Sequence, residues 1–247
     1  MRGEILELLK DKKALKDQGM FIVDTEKILG EAIEAGFEVT HLLYTEQGLK
    51  IMDKYGDRVG HGACETTKNS FIDRFANVKT HQGFLAVVKA VNREILKFDG
   101  LKTLVLLDNI QDPSNVGAII RSGAAFGFND YLLLNCAGIY SDKVIRSSAG
   151  TVFSVNYKNV DFKQLTDISK DFQFIATDVT EGEDIRFAKA RLKNKFMIAL
   201  GSEGQGLSVE VKSLSQELIK INYPGKVESL NVSAAAAIIF FELGGKD

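Results

Sequence analysis

Cysteine, histidine and long apolar runs are all scarce in this sequence, and each scarcity removes a class of function. Cys64 and Cys136 lie far apart and outside any C-x-x-C pattern. That arrangement suits two reduced, buried thiols and no disulfide framework. His41, His61 and His81 do not cluster with cysteines or carboxylates at ligand spacing, so no metal is expected. The longest apolar run, AAAAIIFF at 234–241, is far short of the roughly 20 residues needed to cross a bilayer, so no membrane partner is expected. The amino-terminal MRGEILELLKDKKALKDQG alternates charge with leucine and lacks the apolar centre of a signal peptide. A cytoplasmic protein is the expectation.

An excess of positive charge is also missing, with a formal net charge of -2 and a pI of about 6.0. This excludes a surface uniformly basic for nucleic acid, though not a local basic face on an otherwise acidic protein. What is present in quantity is core material, at 45% hydrophobic and 26% charged residues. The 247 residues suit two domains at about 150 residues each. No repeat or low-complexity segment interrupts them.

The first part alternates helix and strand patterns. Residues 2–16 carry Ile5, Leu6, Leu8, Leu9 and Leu15 among charges, predicting one helix with an apolar side. FIVDTEKILGEAIEAG at 21–36 predicts a strand, then a helix opened by Asp24 or Thr25 and closed by Gly36. Strands are expected at 39–45 and 83–91, with helices at 47–55 and 66–76. The charged NREILKFDGLK then marks a domain boundary near residue 96, dividing the chain into 1–95 and 96–247.

From residue 103 the texture changes to continuous apolar runs: TLVLLDN, DYLLLN, FQFIATDV, NKFMIALG and ELIKINY. Such runs suit strands buried on both faces of a parallel sheet, with helical patterns between most of them supplying the crossovers. The fold class is therefore α/β, a small domain followed by a parallel-sheet domain. Ligands of such sheets bind beyond the carboxyl ends of the strands.

Three polar clusters fall at those ends. The first, LLDNIQDPSNVGAIIRSGAAFGF (106–128), leads from a strand through Pro113 to a helix that Ser114 or Asn115 can cap. Arg121 follows about 9 Å along the axis from Asn115. The helix is rich in glycine, which is costly unless close packing or a ligand compensates. The second, ALGSEGQGLS (199–208), has glycines in the order G-x-x-G-x-G, neither a dinucleotide fingerprint nor a phosphate-binding P-loop. Glu203 amid these glycines suits a neutral or cationic ligand better than an anion. The third, INYPGKVESLNVSAAAAIIFFEL (221–243), turns at Pro224-Gly225 and begins a long helix at Ser229-Leu230-Asn231.

Together the clusters resemble the three motifs of the SpoU (TrmH-like) family of RNA ribose methyltransferases, in order and at family-like spacing, and KVIRSSAGTVFSV (143–155) is similar to the segment between the first two. The stretches GMFIVDTEKILGEAIEAGFEVTHLLYT and KTHQGFLAVV resemble the substrate-binding domain of the ribosomal-RNA branch. The resemblance implies a C-terminal trefoil knot, a homodimer, and S-adenosylmethionine as methyl donor. It implies transfer to a ribose 2′-hydroxyl of RNA, with 23S ribosomal RNA ahead of tRNA.

By the same resemblance Gly201, Ile221 and Leu230 hold the donor, with apolar Ile221 and Leu230 sandwiching adenine. Arg121 stands beside the target ribose, supported by Asn115, Glu203, Ser229 and Asn231. A guanidinium normally stays protonated, so Arg121 holds an RNA phosphate and stabilises alkoxide charge as readily as it acts as a base. Glu203 either orients Arg121 or binds the hydroxyl. Lys143 and Arg146 are candidates for RNA phosphate contact, with plain surface solvation as the alternative. A non-catalytic RNA-binding relative, a base-methylating enzyme and a dinucleotide oxidoreductase are the competing classes. The intact Asn115, Arg121, Glu203 and Asn231 set weighs against the first, and the glycine order against the last.

Overall fold

The computed structural model describes residues 2–60, 63–78 and 80–244. His61, and Lys79 of the 79–88 stretch, lie outside the described residues. The chain forms two compact units: residues 1–92 with 140–153, and residues 93–139 with 154–247.

In the first unit α1 (Arg2–Lys10) and α2 (Lys12–Asp17) replace the single helix expected over 2–16. Asp11 causes the break, because its carboxylate accepts the Lys13 and Ala14 N–H groups and caps a new helix. There follow β1 (Met20–Val23), α3 (Glu26–Glu34), β2 (Glu38–Tyr44), α4 (Leu49–Tyr55), β3 (Cys64–Thr66), α5 (Asn69–Phe75) and β4 (Phe84–Lys89). The strands form one sheet in the order β1-β4-β2-β3, antiparallel except for β2 with β3. Thr25 occupies the N-cap of α3 without a side-chain bond, while the buried Asp24 carboxylate instead receives the Asn77 and Val78 N–H groups.

The second unit begins with β5 (Thr103–Asp108), α6 (Pro113–Ala125) and β6 (Asp130–Leu134). The next helix, α7 (Asp142–Ser147), lies in Tyr140–Phe153, a stretch expected in the 96–247 domain. That segment belongs to the first unit because the aromatics at its two ends have partners there: Phe21 stacks on Tyr140 and Phe153, with Phe37 against both. Arg146 is committed in the same unit, its guanidinium donating to the Asn77 carbonyl at 3.1 Å.

The second unit resumes with β7 (Asn156–Asn159), α8 (Phe162–Ser169), β8 (Gln173–Thr177), β9 (Glu183–Asp184), α9 (Ile185–Ala188), β10 (Phe196–Leu200), α10 (Val209–Leu214), β11 (Glu217–Lys220) and α11 (Val232–Leu243). Its strands pair in the order β7-β6-β5-β10-β8-β11-β9, every pair parallel. Both faces of the central strands are covered, as their unbroken apolar runs require. Leu104, Leu106, Phe174, Met197 and Ala199 pack with Leu165 of α8 and Val211 of α10. On the other side α11 lies against α6, and Phe240 packs on Phe128. Gly123 lets α6 pack close on β6, since a Cβ there would fall 2.0 Å from the Tyr131 hydroxyl and 3.2 Å from the Phe240 ring of α11. Close packing therefore accounts for that glycine. Among the described residues no helix is long and apolar enough to cross a membrane.

Candidate functional site

The carboxyl ends of β5, β8, β10 and β11 share one edge of the parallel sheet, and the three polar clusters sit there. β5 ends in Asp108, after which Asn109 turns the chain at φ 56°, a conformation asparagine tolerates better than most residues. The N-cap of α6 is Asp112, where Ser114 or Asn115 was expected. Its carboxylate accepts the Ser114 N–H at 2.9 Å, and Pro113 fills the first helical position. Asn115 is thereby released from capping.

The second loop leaves β10 at Gly201 and folds back on itself, with reciprocal bonds between the Ser202 and Gly206 main chains of 3.0 and 2.9 Å. A Cβ on Gly201 would lie 2.1 Å from the Gly206 carbonyl carbon. The missing side chain thus makes room for the loop's own backbone. Glu203 rides at the tip of this turn. The third cluster ends in Asn231, whose Oδ1 accepts the Ser233 N–H at 2.9 Å and caps α11. That commitment turns the Asn231 amide NH₂ outward.

The three motifs meet through these side chains. Asn231 Nδ2 donates to Glu203 Oε1 at 2.9 Å and to Asn115 Oδ1 at 3.3 Å, while Asn115 Nδ2 reaches Glu203 Oε2 at 3.5 Å. Residues 88 and 116 positions away from Asn115 so form one exposed polar cluster. Arg121 stands exposed two turns further along α6. Among the described residues it makes no hydrogen bond to this cluster, and neither does Ser229.

A cavity of about 450 Å³ opens beside the cluster, lined by Gly201, Glu203, Ile221, Ser229 and Leu230 among others. Glu203 is the residue shared by cavity and cluster; Asn115, Arg121 and Asn231 do not line it. Asp178 and Lys212, which belong to none of the three sequence clusters, form an ion pair in the cavity wall. Burial pushes the Asp178 carboxyl up, but the Lys212 ammonium and the Thr180 and Glu181 groups outweigh it and hold it below the usual carboxylate range. A depressed folded value means stabilisation that is present above the unfolded pKa and lost as pH falls through the folded one. Unfolding free energy, followed by denaturant titration from pH 6 to pH 3, should therefore fall less steeply in Asp178→Asn than in the native chain.

Cys64 and Cys136 are both half-buried rather than buried; Cys136 Sγ lies 3.2 Å from the Leu107 carbonyl, and burial pushes the Cys136 thiol up to about 12. It is protonated and inert at neutral pH. Among the described residues no group of three or more histidine, cysteine or acidic residues is placed to hold a metal ion.

Residues 102–241 match the profile of the SpoU rRNA Methylase family. The chain belongs to that family. A tRNA/rRNA methyltransferase of Borreliella burgdorferi, itself uncharacterized, is 30% identical over 70% of this chain and 82% of its own length. The AdoMet-bound rRNA methyltransferase of Sinorhizobium meliloti shares the fold at a TM-score of 0.82 and 22% identity, over 97% of this chain and 92% of that one. The TrmH/SpoU tRNA modifying enzyme of A. aeolicus aligns at a TM-score of 0.50 and 27% identity, over 57% of this chain and 73% of its own. The SpoU match takes in the first two motifs whole and the third up to Phe241, so the cluster and the cavity both lie within it.

Proposed function

We propose that this SpoU-family chain transfers the methyl group of S-adenosylmethionine to a ribose 2′-hydroxyl of RNA, with 23S ribosomal RNA as the substrate. The observation that carries this reading is the Asn115–Glu203–Asn231 cluster at the mouth of the cavity. The two amides steady the Glu203 carboxylate from one side and leave it lone pairs for an incoming hydroxyl. Arg121, unspent and exposed on the same helix as Asn115, is free to take an RNA phosphate and to stabilise negative charge developing on the ribose oxygen. Ser229 stands beside Leu230 in the lining and adds a hydroxyl on the donor side.

The cavity suits the donor. Ile221, Leu230 and Ile239 give it apolar surface for a purine, and Gly201 exposes main chain. Asp178, Glu203 and Glu228 outnumber Lys212 and Lys220 among its charged residues, which favours a cation. When bound, the donor supplies an electrophilic methyl on a sulfonium; the residues named here position the acceptor and govern its proton.

Ribosomal RNA is favoured over tRNA because the likeness to the S. meliloti rRNA enzyme runs through both units, whereas that to the tRNA enzyme covers little more than half of the chain. We assign RNA contact to the first unit on the same ground. The knot and the homodimer belong to this proposal. The chain passes from β10 through α10 and β11 before α11 returns to α6, a path that suits threading. Phe241, 64% exposed, joins Phe126 and Ile238 in an apolar face on α6 and α11 that suits a second copy.

The test is incubation of the purified protein with labelled S-adenosylmethionine and unmodified large-subunit RNA, followed by partial alkaline hydrolysis. One alkali-resistant linkage coincident with label is expected. Label at an alkali-sensitive linkage would mean base methylation, and label only on tRNA would move the substrate. Failure to bind the donor at all would favour a non-catalytic RNA-binding protein.

A further inference from the structure

The mechanism above leaves unused a wholly buried carboxylate. Asp108, the last residue of β5 and the one charged residue in the run TLVLLD, has no exposed surface. Its Oδ2 accepts both the N–H of Ser208 at 2.7 Å and the hydroxyl of Ser208 at 2.8 Å. Its Oδ1 accepts Asn109 Nδ2 at 2.9 Å. Ser208 is the N-cap residue of α10, where a serine hydroxyl ordinarily accepts a helix N–H. Here it makes no such bond and is turned toward Asp108 instead.

One carboxylate thus clasps the start of the loop that leads to Asn115 and the end of the loop that carries Glu203. Asn115, at the start of α6, and Glu203, on the second loop, reach across to their 3.5 Å contact. A bond made by a charged, fully desolvated acceptor is among the stronger ones available, and its loss strands buried donors. Glu203 is exposed and has little packing of its own to hold its register against the half-buried Asn115. We infer that Asp108, through Ser208, is a positioning residue for the proposed methyl transfer: it sets the second-motif loop so that Glu203 faces the Asn115–Asn231 pair. This rests on the function proposed above and touches neither donor nor RNA directly.

The test compares Ser208→Ala, Ser208→Thr and Asp108→Asn with the native chain, using Ser213→Ala as a control. Among the described residues Ser213 bonds only the Glu210 carbonyl within α10, so its removal deletes a hydroxyl from the same helix without touching the clasp. Amide hydrogen exchange is read first, because it needs no activity. Ser208→Ala and Asp108→Asn are expected to speed exchange in residues 201–208 at least tenfold, with the β5 and β10 interiors unchanged. Unaltered exchange in that loop would overturn the clasp. Methyl transfer is read second: kcat should fall about 100-fold in Ser208→Ala, the size of effect seen on loss of one precisely aimed donor. S-adenosylhomocysteine affinity by calorimetry should stay within threefold, and Ser208→Thr should recover most of the rate. A kcat in Ser208→Ala equal to that of the control would overturn the positioning role. So would a rate loss matched by an equal loss of S-adenosylhomocysteine affinity, since that is the mark of general disruption. If the native chain itself methylates no RNA, the functional reading fails while the exchange result still decides the clasp.

Discussion

Arg121→Ala should lower RNA methyl transfer about 10²–10³-fold while leaving S-adenosylhomocysteine affinity within threefold. The expectation follows from where the side chain stands. Arg121 is exposed on α6, about 9 Å along the axis from Asn115, and forms no part of the cavity wall. Its removal neither opens the cavity nor unpairs a buried group, so folding and donor binding should be untouched. On the proposed function, what is lost is the charge that would meet the acceptor strand. Arg121→Lys should recover little, because a point charge does not reproduce the planar fork that grips a phosphate from two directions. Single-turnover kinetics beside calorimetry would separate the effects. Near-native turnover in Arg121→Ala would remove the arginine from the reaction.

The second large effect is expected from a single methyl group. In Gly201→Ala the new carbon would lie 2.1 Å from the Gly206 carbonyl carbon and 2.2 Å from the Leu207 nitrogen. Both are backbone atoms, and they cannot swing aside as a side chain would. Overpacking of this kind costs about 1–3 kcal/mol. Borne by the loop alone, it weakens donor binding roughly 5- to 150-fold. Gly204→Ala is the built-in comparison, since its added carbon meets nothing within 4 Å and should be tolerated. Calorimetric titration of both variants with S-adenosylhomocysteine should therefore separate two glycines only three positions apart. Equal affinities would show that the loop yields where the packing says it cannot.

The central strands were legible because burial on both faces writes itself as an unbroken apolar run. The edges were not. β7 reads NYKN and β9 is two acidic residues, Glu183 and Asp184, so neither carries the pattern of a buried strand. The place of Tyr140–Phe153 was hidden for another reason, because its partners Phe21 and Phe37 lie more than 100 positions earlier.

The site divides in the same way. Spacing and glycine content marked the three clusters, and the family resemblance named Asn115, Glu203 and Asn231. No linear pattern carries the bonds among them, because each crosses from one cluster to another. Asp108 stands out in the sequence as a carboxylate closing an apolar run, but its partner Ser208 lies 100 positions away. Asp178 and Lys212 gave no such sign, since an acid in a turn and a lysine on a short helix are ordinary features. Asp112 displaced the expected caps because the residue before proline is already held extended, the conformation an N-cap needs.

Asn231 serves two masters, and the consequence reaches beyond this site. As a cap it could be exchanged for aspartate with little loss, since either side chain offers an oxygen to the Ser233 N–H. As a neighbour of Glu203 it could not, because the exchanged atom is the NH₂ that donates there, and a second carboxylate would be set against the first. Selection for a well-folded chain is therefore blind to the difference at this position, and selection for turnover is not. Drift from asparagine to aspartate here would leave a stable, silent scaffold: a folded relative that has left chemistry behind by one atom.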